Sequence, residues 1–190
     1  MTIQYVMRTI LLTFFAIGAL SISDRAQSQF DSKTLSLRGQ EAYRGLLAVK
    51  LFAIGGIGYG GAMSDGEKFL DVLIEEKEAE NAFRQLVHGG PLEGGFYGLL
   101  GLRMLSSDSF EGLFEEFKRL HFGPENKETF TTQAGCSLFV AEAANVKNEL
   151  LASYMRTFTR QAKLRECDRQ TKGRTSDIRN KCRLDAMRDQ

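Results

Sequence analysis

The side chains most suited to nucleophilic chemistry in this sequence are Cys136 and the two histidines, His88 and His121. A thiol attacks only as its thiolate, so Cys136 would need an imidazole or a positive charge beside it to ionise near neutral pH. That pairing would support a hydrolase or transferase of unrecognised type. A lone cysteine between Gly135 and Leu138 more commonly packs as a small hydrophobe. Each histidine also falls in the last turn of an expected helix, where the helix dipole favours its cation. The balance is therefore against catalysis.

Other constellations are weaker. Gly56, Gly58 and Gly61 satisfy the G-x-G-x-x-G spacing of dinucleotide sites, where missing side chains admit a pyrophosphate to a helix N-terminus. The apolar run before them reads as helix and no βαβ alternation follows, so the glycines are expected to serve close backbone packing and no nucleotide is expected. Exposed amides near Ser64 leave a minor alternative, an anion held at the next helix start. Glu75, Glu76, Glu78 and Glu80 cluster at a helix junction and read as a solvated face. Neither H-E-x-x-H nor paired C-x-x-C occurs, so no metal or cofactor is expected.

The C-terminal segment has more functional leverage. From Arg156 to Gln190 there are eleven Lys or Arg against five Asp or Glu. Arg160, Lys163, Arg165, Arg169, Lys172 and Arg174 form the candidate surface for an anionic partner, either an anionic envelope component or another envelope protein, bound with salt-sensitive affinity. No aromatic residue follows Phe158, which removes base stacking and disfavours nucleic acid. The preceding part, Gln29 to Met155, holds twelve basic and eighteen acidic residues, so the tail could instead dock on its own body.

Residues Thr9 to Ile22 form an apolar block after a polar start ending at Arg8, too short to span a bilayer and followed by small residues at Ala26 and Ser28. This is the pattern of a signal peptide over Met1 to Ser28, and it predicts a secreted or periplasmic protein with no transmembrane segment once mature. In an oxidising compartment three cysteines imply one disulfide and one remaining thiol. Cys167 and Cys182 flank Gly173, and pairing them would staple a basic helical hairpin; Cys136 paired to either of them is the rival.

Periodicity supplies the elements that must position these groups. The expected fold is mainly α: a helical domain over 29–155 with helix hairpins and a small β element near 129–140, then a basic helical extension over 156–190. Helices are expected over Asp31–Lys50 and from Asp65 to about Glu76, the latter opened by a Ser64/Glu67 capping box. Phe52–Gly61 reads as a packed loop or short strand. A hairpin follows, with Gly89 and Gly90 as its left-handed stop and Pro91 opening the glycine-rich helix to Leu105. Asp108 and Glu111 repeat the capping pattern before a helix ending near Gly123, Asn145 is expected to cap the last long helix, and Ser176 the basic one after it.

The pair from Glu78 to Leu105 resembles one HEAT or armadillo unit, although no second copy recurs at a fixed period. The segments GGIGYGGAMSDGE, FYGLLGLRML and TTQAGC resemble a set of uncharacterised exported bacterial proteins across Gly55 to Cys136. That resemblance implies a bacterial envelope setting and brings no activity with it. A binding or interaction module without catalysis is the resulting expectation.

Overall fold

A computed structural model describes residues 30–146 and 148–188, so the expected signal segment lies outside the described residues. From Ser32 onward the chain forms one unit. It is mainly α, with seven α-helices and three strands among the described residues: α1 (Leu37–Ala48), β1 (Phe52–Ile57), α2 (Asp65–Leu73), α3 (Ala79–Gly89), α4 (Leu92–Met104), α5 (Phe110–His121), β2 (Thr129–Gly135), β3 (Ser137–Glu142), α6 (Asn148–Gln170) and α7 (Ser176–Arg188).

The central element is α4, buried at every residue from Leu92 to Leu102. Its glycines make this possible. A Cβ on Gly98 would lie 2.8 Å from the carbonyl oxygen of Phe83, and one on Gly101 would lie 2.5 Å from the Phe83 ring. α3 therefore approaches the α4 backbone directly, and packing replaces the helix propensity that glycine lacks.

An aromatic cluster joins helices to sheet. Phe52, Phe96, Phe130 and Phe158 are each at most 1% exposed. Ring centroids lie 4.7 Å apart for Phe96–Phe130, 5.1 Å for Phe52–Phe96 and 5.9 Å for Phe52–Phe158. Each such pair contributes about 0.5–1.5 kcal/mol beyond area burial.

The sheet order is β1-β2-β3. β2 and β3 form an antiparallel hairpin running from Thr129↔Glu142 to Ala134↔Ser137. Its two-residue turn has Gly135 at φ +56°, the left-handed position that a type II′ turn assigns to glycine. β1 runs parallel to β2, with Phe52 opposite Thr132, which requires the long crossover through α2 to α5.

Several local expectations change. Gly90 ends α3 at φ −83°, in extended rather than left-handed backbone. Its missing side chain serves contact, because a Cβ there would lie 2.6 Å from the Leu86 carbonyl oxygen. Pro91 occupies the N-cap and α4 begins at Leu92. Asp108 does not cap α5: Ser109 is its N-cap, and the Ser107 hydroxyl accepts from the Ser109 amide at 3.3 Å. Asn145 lies in a 3-10 turn, Ala143–Asn145, and donates to Glu142 at 3.3 Å, while α6 starts at Asn148. Ser176 is the first residue of α7, not its cap.

Candidate functional site

The basic extension folds as a helical hairpin. α6 and α7 turn at Gly173, whose φ of +80° is the left-handed conformation glycine adopts without strain. The disulfide joins Cys167 to Cys182, with Cα atoms 5.7 Å apart, and Cys136 is the free thiol. Beside it Arg183 grips Asp168 through two bonds, Nε to Oδ1 at 2.8 Å and Nη2 to Oδ2 at 2.5 Å, and this pairing raises the Arg183 pKa. A bidentate fork of this kind fixes orientation as well as charge.

The candidate cations fall into distinct groups. Arg165 pairs with Glu75, tying α6 back to the segment after α2. The same guanidinium opposes the burial that pushes the Asp71 carboxyl above its usual range. Arg169 pairs with Glu166 at 2.5 Å, and with Gln170 it holds that exposed carboxyl below the ordinary range. Lys163 is half-buried on the wall of a cleft of about 1150 Å³. Arg160, Lys172 and Arg174 are exposed and make no ion pair with another described residue. The docking expected between tail and body is thus carried at Arg165, while the hairpin turn keeps its charge facing outward.

The cleft lies between the α4–α5 corner and the α6–α7 hairpin, with Arg103, Glu111, Lys163, Glu166, Ile178 and Lys181 on its walls. Arg103 braces it, donating to Thr159 at 3.2 Å, pairing with Glu111 at 3.4 Å and lying 5.1 Å from the Phe110 ring centroid. The walls carry both cations and carboxylates, so the cleft has no single sign of charge.

The glycine motif is placed differently from a nucleotide site. β1 does lead into it, but Ile57 bridges back to Ala62 and the glycines form a protruding turn with Tyr59 fully exposed. Close packing occurs within the turn, where a Cβ on Gly56 would lie 2.8 Å from the Gly61 Cα. The amides that could hold an anion are taken by Glu67, whose carboxylate accepts from Gly55 at 2.7 Å and Ser64 at 3.3 Å. Burial nevertheless pushes the Glu67 carboxyl up, against these bonds. Beneath it Tyr97 donates to the Ala53 carbonyl at 2.8 Å, accepts from the Ala53 amide at 3.0 Å and lies 3.1 Å from the Ser64 hydroxyl. Burial raises the Tyr97 pKa. This network locks β1 to α2 and α4, and no sequence motif marks Tyr97 as its centre.

The candidate nucleophile is exposed at the β2–β3 turn, contrary to the small-hydrophobe expectation. His121 pairs with Glu128 at 3.1 Å, one residue before β2, whereas Cys136 follows its far end. Seven strand residues place the two roughly 20 Å apart or more. His88 lies 4.0 Å from Glu116 on α5. Among the described residues no histidine hydrogen-bonds to Cys136, and no three His, Cys, Asp or Glu side chains gather as a metal site. No described helix is long and apolar enough to cross a membrane.

The expected β element near 129–140 is present as β2 and β3, and what sequence reading missed is the exposure of β3. Leu138, Phe139 and Val140 are 59%, 55% and 61% exposed. Period-two alternation marks a strand but does not reveal whether either face is covered. Comparison with protein-family models finds no match for this chain, and comparisons with curated proteins and with solved structures find none either.

Proposed function

We propose that the protein is an exported, non-catalytic binding module of the bacterial envelope that uses its disulfide-closed basic hairpin to engage an anionic, phosphate-bearing surface. The observation that carries this reading is the pair Lys172 and Arg174, exposed on the α6–α7 turn with no ion-pair partner among the described residues. Arg160 adds a further exposed cation on α6. Outward charge on a turn fixed by a covalent staple reaches a flat anionic surface without reordering the chain. The signal-like segment supports delivery to the envelope, and the separation of Cys136 from His121 argues against a thiol enzyme.

The test is co-sedimentation with vesicles of phosphatidylglycerol mixed with phosphatidylcholine. The protein is expected to bind these and not pure phosphatidylcholine, with affinity falling steeply as salt rises. Lys172→Glu with Arg174→Glu should abolish binding while the melting temperature stays unchanged. Equal binding by wild type and the double variant, or no binding by wild type, would overturn the proposal.

A further inference from the structure

β3 is an edge strand that lacks the usual protections. Among the described residues it pairs only with β2, its six-pair register has no bulge, and its sequence SLFVAE contains neither Lys nor Pro. Natural sheets blunt such edges because the unpaired N–H and C=O groups are a template for another strand.

Hairpin geometry fixes which groups are offered. The pair flanking a two-residue turn, Ala134–Ser137, exchanges ladder hydrogen bonds, and alternate pairs after it do the same. The Ala143 amide continues this alternation by donating to the Glu128 carbonyl at 2.7 Å. Ser137, Phe139 and Ala141 therefore point their backbone groups at β2, and Leu138, Val140 and Glu142 point theirs outward.

We infer that β3 pairs antiparallel with β3 of a second copy, joining two three-stranded sheets into one of six strands. An outward-facing residue must oppose an outward-facing residue, so the two-fold axis passes through a residue rather than between residues. An axis at Phe139 sets Phe139 against its own copy and Leu138 against Val140 on each side. Apolar residues then meet on both faces, an arrangement that cross-strand pairs reward. Charge favours the same occupant. The chain carries a formal net charge of only +1, so two copies approach without strong repulsion, and this axis sets Glu142 opposite Cys136 of the other copy rather than opposite another carboxylate.

Two measurements on the purified protein test this. In sedimentation equilibrium the wild type is expected as a dimer, and Val140→Lys should weaken self-association by about tenfold at each of the two symmetric sites, about a hundredfold together, with its circular dichroism unchanged. Mild oxidation in a Cys136→Ser background locates the axis. Phe139→Cys should form a covalent dimer because its Cα atoms would lie about 4.5 Å apart. Val140→Cys should not, since its two copies would be offset by two residues along the strands. A wild type that stays monomeric, a dimer indifferent to Val140→Lys, or cross-linking at Val140→Cys but not Phe139→Cys would overturn the inference.

Discussion

Two helical glycines illustrate how residue-scale context decides the sign of a substitution. A Cβ on Gly98 would press on the Phe83 carbonyl oxygen and on Val87, whereas one on Gly112 in α5 meets nothing within 4 Å. Gly98→Ala should therefore destabilise by about 1–3 kcal/mol through overpacking. Gly112→Ala should stabilise by about 0.5–1 kcal/mol through helix propensity. Urea denaturation of the two variants checks both signs, and equal shifts would refute the close-approach account of α4. The need for close approach around Gly98 was legible from glycine density in an otherwise apolar helix. The role of Gly90 was only half legible, because a glycine can terminate a helix by a left-handed φ or by admitting a carbonyl, and composition does not distinguish them. The Ser64/Glu67 capping box was legible because its two bonds need only a spacing of three residues, and both are present.

At the scale of elements, the disulfide decides how α7 is held. Ala186 is its only buried residue, so little apolar burial fastens it to α6. The cross-link and the Arg183–Asp168 fork carry the attachment. In the loop-entropy account a closure of about 15 residues contributes roughly 3 kcal/mol. Cys182→Ser, paired with Cys167→Ser, should therefore loosen α7 without disturbing the core. Hydrogen exchange is the measurement: α7 amides should lose protection while those from Leu92 to Leu102 keep theirs. Uniform loss across both would mean that the hairpin stabilises the whole unit instead. The staple could be read from spacing because a hairpin brings cysteines on either side of its turn together. The parallel pairing of β1 with β2 could not, since nothing local in Phe52–Ile57 or Thr129–Gly135 records a partner about eighty residues away. The glycines after β1 further obscured the strand, because their low propensity argues equally for a loop.

For the whole molecule, the boundary between acidic body and basic extension does not coincide with a boundary in packing. α6 runs unbroken from Asn148 to Gln170, and Phe158, just inside the basic segment, is fully buried against Phe52 and Phe96. Thr159 accepts the hydrogen bond from Arg103 on the next position. Charge counting marked the start of the extension at Arg156 because charge changes sign there, but the aromatic core reaches past it. Two truncations separate these views. A chain ending at Gln170, with Cys167→Ser to remove the orphaned thiol, should keep its cooperative melt because it loses only the exposed α7 and the turn. A chain ending at Met155 loses Phe158 and about two thirds of α6, and truncating one such buried ring alone costs about 3–5 kcal/mol, comparable to the whole stability of a small domain. It should show weak near-ultraviolet circular dichroism and no cooperative transition. A sharp melt from the Met155 chain near that of wild type would show that α6 is dispensable to the core. Failure of the Met155 chain also explains why membrane association must be probed by reversing Lys172 and Arg174: deleting the extension removes the fold along with the charge.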